Sequence, residues 1–225
     1  MRWLDLAGIP GSGKSTIAYP LWPDRAVGWD GLPPPAYWRQ YLDELTNLFM
    51  LIRTHLTLEA AIRMNIRTAG KMAAVERMQS DKPFVQTGHL QRILGFGWRL
   101  HDMGADVHLI SRALWLMPAS IGAVFLEAED ETLIARNRAR RLVPETAHED
   151  RSHQIRPMKA AIAVAKKVLN ERKLPILELD VQRQSADAAR AELVAFAAEH
   201  AGNATSVRSG CEDALLSTYP IWWRR

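Results

Sequence analysis

The chain has 225 residues, with 29 Lys and Arg against 25 Asp and Glu for a net charge of +4, and 48% of its residues are hydrophobic. That balance excludes a disordered or fibrous chain and fits one globular domain with a sizeable core. A single cysteine, Cys211, excludes an internal disulfide, and no apolar run approaches the roughly 20 residues of a membrane span, so a soluble cytoplasmic protein is expected. The first residues lack the basic-then-apolar layout of a signal peptide.

Residues 3–7 predict a short strand that alternates early and ends apolar. It runs into residues 8–15, GIPGSGKS, a complete G-x-x-x-x-G-K-[ST] phosphate loop. Gly8, Gly11 and Gly13 let the backbone turn its N–H groups inward around the β- and γ-phosphates of a nucleoside triphosphate. Lys14 reaches those phosphates as a point charge, and the Ser15 hydroxyl is placed to ligate Mg²⁺. With Ser12 and Thr16 these residues form the expected ATP-binding set. The helix that follows brings partial positive charge beneath the anion, and Pro20 stops it after a turn or two.

A second strand is expected over residues 25–29, ending in AVGWDG. Asp30 then stands at the carboxyl end of the sheet, where catalytic groups collect; an aspartate opening an Asp-Gly turn is the competing reading. Residues 33–80 are too long for a simple crossover. Pro33, Pro34 and Pro35 give a stiff extended lead, after which 37–55 and 58–79 carry helical apolar spacing. An insert leaving the second strand is positioned to cover an acceptor. On its second helix Glu59, Arg63, Arg67 and Lys71 recur at four-residue spacing. They read either as a solvated stripe with one Glu–Arg pair or as a phosphate-tracking surface in which Arg63 and Arg67 bind substrate.

A third strand is expected at 83–87, followed by a polar loop, Gly88, His89, Gln91 and Arg92, ahead of the apolar segment ILGFGWRL. Arg92 is the substrate-binding candidate, since a guanidinium grips an anion bidentately, whereas His89 suits hydrogen bonding better than catalysis. A fourth strand at 121–126 leads into EDETLIARNRARR, which places Arg136, Arg138, Arg140 and Arg141 at the end of a helix. A helix C-terminus tolerates such cations, and a lid over the transferred phosphate is the other reading. The stretch with His148, Glu149, Asp150, Arg151 and His153 has no trusted metal-ligand spacing and reads as lid-closing polar structure. A helix at 158–172, a fifth strand at 175–179 and a last helix at 186–199 complete a domain over residues 1–200. The strands and helices alternate as in an α/β doubly wound fold with a five-stranded parallel sheet. The tail, 201–225, ends in Trp222, Trp223, Arg224 and Arg225, suited either to packing or to stacking on bases.

The phosphate loop with VFLEAEDETLIARNRARR resembles the P-loop nucleotide, nucleoside and polynucleotide kinases. The resemblance implies an acceptor-binding insert at 33–80 and a lid at 136–153, with Arg136 and Arg140 closing over the transferred phosphoryl group. It also exposes a departure: many nucleotide kinases carry an Asp-Arg pair after the third strand, and this chain has Gln86 and Thr87 there. Polynucleotide kinases place an aspartate after the second strand to accept a hydroxyl proton, which makes Asp30 the general base by resemblance and favours a hydroxyl acceptor.

A narrower resemblance, in AYPLW, GFGWRL and ETAHE, is to phage kinases that phosphorylate 5-hydroxymethyluracil in DNA. It implies a base hydroxyl as acceptor, met in DNA turned out of the duplex or single-stranded. A small-molecule nucleoside or nucleoside monophosphate kinase is the alternative. A nucleotide-switched binding module is the weakest reading, because the chain has no N-K-x-D motif.

Overall fold

The computed structural model describes residues 3–18, 32, 34–53, 57–77, 84–86, 88–118, 120–141 and 152–200. Strand β1 (Trp3–Gly8) is the second strand of a sheet ordered β2-β1-β3-β4, with β2 at Phe84–Gln86, β3 at Gly122–Glu127 and β4 at Ile176–Asp180. All three pairings are parallel, and Asp5 lies opposite both Gln86 and Ala123. These are four of the five expected strands. The one expected at residues 25–29 lies outside the described residues, as does Asp30 at its end.

Period-two alternation sorts the strand side chains onto two faces, each of which must be covered because parallel strands are buried on both sides. Leu4 and Leu6 of β1 join Val124 and Leu126 of β3 and Leu179 of β4 in one core. Ile17 and Ala18 of α1 (Lys14–Ala18) and Ala189, Leu193 and Ala197 of α8 (Ala186–His200) cover it. Ala7, Ala123 and Phe125 face the other way into a larger core. There they meet α2 (Arg39–Ile52), α4 (His89–Asp102), α5 (Ser111–Leu116) and α7 (Ile155–Glu171).

The insert forms as its spacing predicts. A turn of 3₁₀ helix, Ala36–Trp38, leads from the prolines into α2, and α3 (Leu58–Arg77) packs back against it. The segment after β2 differs from the expectation of a loop. His89, Leu90, Gln91 and Arg92 are already helical, with Gly88 as N-cap residue, because Leu90, Ile93, Leu94, Gly97 and Leu100 form one buried face. Gly95 and Gly97 within it weaken the helical signal in the sequence. Helix α6 (Asp130–Arg141) follows β3 and carries the arginine run. No helix among the described residues is long and apolar enough to cross a membrane.

Gly97 sets the spacing of α4 and α7. A Cβ there would stand 2.7 Å from Ala161 Cβ and 3.1 Å from Ile110 Cδ1. Gly97→Ala therefore overpacks a seam between helices, and the strain exceeds the alanine's gain in helix propensity. The expected result is a net loss of about 1 kcal/mol or more in urea unfolding, read as a lower midpoint at unchanged slope. An unchanged or raised midpoint would show that the seam can widen.

Candidate active site

Every connection leaving the carboxyl edge of the described sheet contributes to one region, as the topology of an open parallel sheet dictates. The phosphate loop leaves β1, α4 begins after β2, α6 begins after β3, and residues 181–185 follow β4.

In the loop, Gly11 and Gly13 adopt φ of +93° and +81°, which only glycine takes without strain. Lys14 Nζ lies across the loop and donates to the carbonyls of Gly8 at 2.5 Å and Ile9 at 3.1 Å. The loop closes on itself through Ser12 N–H to Ile9 O at 3.1 Å. Ser15 and Thr16 are exposed at the head of α1, whereas Ser12 is buried and its Oγ has no partner among the described residues. The loop thus offers an ammonium, two exposed hydroxyls and one uncommitted buried hydroxyl around an N–H-rich turn. That donor set suits an anionic oxygen-rich ligand.

Two helices hold the loop from opposite sides. From α4, Gln91 Oε1 accepts the Gly8 N–H at 3.0 Å. From α6, Asn137 Nδ2 donates to Pro10 O and to Leu133 O, each at 2.9 Å. Arg136, half-buried, donates to Gly11 O at 3.4 Å and to Val181 O at 3.3 Å, linking the loop to the segment after β4. That segment is tied to the end of β3 by Gln182 and Glu129, which exchange two hydrogen bonds of 3.1 and 3.2 Å. Arg138 is exposed on α6. Arg140 belongs to the last turn of that helix, but its side chain lies outside what is described.

Beneath the insert lies a buried polar cluster. Tyr41 of α2 bonds His89 Nδ1 at 3.0 Å, and Trp38 stacks edge-on against the His89 ring with 4.7 Å between centroids. Asp5, fully buried on β1, accepts the Leu90 N–H at 3.1 Å and so caps α4 from the neighbouring strand, Gly88 having no side chain to do it. Arg92 donates to Asn65 of α3, and Asn65 donates in turn to Thr46 Oγ1 of α2 at 3.1 Å. Desolvation dominates the titration of the cluster. It pushes the Asp5 carboxyl up to about 7, against the amides of Leu90 and Gly88, and pushes His89 down to about 3. It raises Tyr41 and lowers Arg92 from their ordinary values.

The structure thus places Arg136 on the loop, whereas Arg92 stands on the first turn of α4 beside Gln91, with its guanidinium on Asn65. Arg63 and Arg67 are elsewhere: each is two residues from Asn65, about 200° around a helix, and both are exposed. Arg63 pairs there with Glu59 at 2.6 Å, as the solvated-stripe reading expects. Lys71 adds no described side chain. Asp5, Tyr41, Asn65 and Asn137 were not among the expected site residues. A charge within the apolar WLDLA and an asparagine within the alanine-lined inner face of α3 are the signals that mark two of them. Among the described residues no three His, Cys, Asp or Glu side chains gather as a metal site. Of the His148 to His153 stretch only the end is described, with the His153 ring edge-on to Trp98.

No protein-family model and no curated protein matches the chain. Among solved structures, deoxyadenosine kinase from M. mycoides with bound dATP superposes with a TM-score of 0.51 over 88% of this chain and 100% of its own, at 13% identity. The same kinase with bound dCTP superposes at 0.45 and 13% identity, and with products dCMP and dCDP at 0.48 and 12%, each over 88% of this chain and 98% of its own. At 13% identity the likeness is one of fold alone, an α/β fold with a parallel sheet.

The raised carboxyl of Asp5 has a measurable consequence. Its folded-state value lies above its unfolded one of 3.8, so the folded chain binds the proton more tightly. That contribution is fully present below about pH 4 and is lost as the pH rises to about 7, on the order of 2–4 kcal/mol in all. Asp5→Asn keeps an oxygen for the Leu90 N–H and has no charge to bury. Its stability relative to the unmodified chain should rise between pH 5 and pH 8 in urea titrations. A difference that stays constant with pH would mean that Asp5 is not buried as a titrating group.

Proposed function

We propose that the chain is a P-loop phosphotransferase that moves the γ-phosphoryl group of ATP to a hydroxyl of a small nucleoside-type acceptor. The observation that carries this reading is the phosphate loop held between α4 and α6 at the carboxyl edge of the sheet, with the helical insert beside it. The loop amides, Lys14 and Ser12 bind the β- and γ-phosphates, and Ser15 and Thr16 lie at the head of the helix beneath them. Their exposed hydroxyls suit Mg²⁺, with Ser15 its ligand. The ion, when bound, neutralises charge on the transferred group. Arg136 and Arg140 supply the guanidinium charge that stabilises it from the lid.

Asp30 is the general base of this reading. A hydroxyl gives up its proton during transfer, and a positioned carboxylate is worth about 10²–10⁴ in rate. Arg92 serves the acceptor. It is held by Asn65, and its Nε has no partner among the described residues.

A small acceptor fits better than the hydroxymethyl group of 5-hydroxymethyluracil in DNA. A fold neighbour is a deoxyadenosine kinase, and in the stripe that would track a DNA backbone Arg63 is already paired with Glu59. Binding of DNA through such a stripe would carry a steep salt dependence.

Transfer of labelled γ-phosphate from MgATP to free deoxynucleosides, nucleoside monophosphates, hydroxymethyluracil-containing DNA and plain DNA tests the proposal. Label is expected in a free nucleoside and absent from both DNAs, whereas label confined to the monophosphates would mean a phosphate acceptor and overturn the hydroxyl assignment. Lys14→Ala abolishes transfer, and Asp30→Asn lowers turnover by about 10² or more with ATP binding retained. Label confined to the modified DNA would overturn the small-acceptor assignment, and full turnover of Asp30→Asn would remove Asp30 as base.

A further inference from the structure

Four consecutive residues at the start of α4 reach three elements, α2, β1 and α3, with the β1 contacts at mid-strand and at its junction with the phosphate loop. His89 bonds Tyr41 of α2, the Leu90 N–H bonds Asp5 of β1, Gln91 bonds Gly8 of the phosphate loop, and Arg92 bonds Asn65 of α3. The turn is internally closed by the Arg92 N–H on Gly88 O at 3.2 Å, so it shifts as one body.

The two ends of this contact set matter most. On the donor side, Gly8 is buried, and Gln91 supplies the acceptor for its N–H. Its own carbonyl holds Lys14. A lost partner for a buried amide is costly, so the position of Gln91 bears on the shape of the loop. On the acceptor side, the Asn65 amide has one available orientation. Its Nδ2 donates to Thr46 Oγ1, whose own proton goes to Leu42 O at 2.8 Å, leaving Oδ1 for Arg92. The insert therefore grips α4 through this directed contact on Arg92 as well as through Tyr41 on His89, and the Arg92 contact lies one residue along from the one that grips the loop.

We propose that Asn65 and Gln91 are positioning residues that couple the helical insert to the phosphate loop through the first turn of α4. The proposal rests on the reading of that loop as a nucleotide site. The insert thereby sets how tightly the loop holds its nucleotide, and by linkage a bound nucleotide sets how firmly the insert is seated. Neither residue touches the phosphates in this scheme. Asn65 acts through Arg92 and the turn, and Gln91 acts through Gly8.

A double-mutant cycle on MgADP affinity, measured by titration calorimetry on the full chain, tests it without knowledge of the acceptor. Gln91→Met, close to isosteric but unable to accept from Gly8, should weaken MgADP about tenfold. Asn65→Ala should weaken it by about threefold or more, Asn65→Asp, which keeps an oxygen for Arg92, by less, and the pair Asn65→Ala with Gln91→Met no further than Gln91→Met alone. Asn65→Leu takes the place of the alanine variant if that one does not fold. Effects that multiply in the double variant, or an Asn65→Ala affinity equal to that of the unmodified chain, would overturn the coupling while leaving the nucleotide site in place. Failure of the unmodified chain to bind MgADP would overturn the nucleotide reading and the coupling with it.

Discussion

The site is organised by one buried carboxyl. A helix that starts against the face of a parallel sheet brings N–H groups into a region without water, and each needs an acceptor. Gly88 offers no side chain at the head of α4, and Asp5 on the adjoining strand accepts the Leu90 N–H in its place. That contact draws α4 close enough to β1 for Gln91 to meet Gly8, three residues further along the same strand. The phosphate loop, the insert and α4 are thus referenced to a single point on the central part of the sheet.

Such a point is expensive to build. Burial disfavours the charged forms of Asp5, Tyr41, His89 and Arg92 alike, so the cluster is held by hydrogen bonds rather than by ion pairs. In so dry a setting each bond is stronger than in water, and each uncommitted donor is a larger incentive for a ligand. Arg92 Nε and Trp38 Nε1 are such donors, buried without partners among the described residues. The cost of the network in stability is consistent with a role in binding, since an apolar cluster of the same size would hold the helices at less expense.

The sheet was legible because its signals are local. The phosphate loop is a contiguous pattern, and the runs at β3 and β4 are bounded and apolar, so strands were placed to within a residue or two. Helix α4 was hidden by Gly95 and Gly97, which read as breakers until Ala161 is seen packed against Gly97. The cluster was less legible for a different reason. Asp5, Tyr41, Asn65 and His89 are separated by up to 84 positions, and no spacing rule relates them. Each is marked only by a polar side chain on an apolar face, and the partner that makes it tolerable is a fact of tertiary packing. Arg63 and Arg67 illustrate the converse. Their regular spacing drew attention, and the same 100° per residue that aligns them turns them away from Asn65.

The bonds of α6 to the loop bear on what a lid in this fold can do. Asn137 is buried, with both amide protons placed on carbonyls, and a Cβ on Gly11 would stand 3.0 Å from its Nδ2. Displacing the whole helix exposes Pro10 O and breaks those bonds together with both contacts of Arg136. Displacing only its final turn breaks none of them. Arg140 and Arg141 lie in that turn, beyond the anchored residues, whereas Arg136 is held at the loop. Within the arginine run, the Arg136 guanidinium is fixed by two backbone carbonyls. A charge fixed beside the loop by backbone carbonyls contributes the same field before and after an anion arrives, with no reorganisation needed on binding.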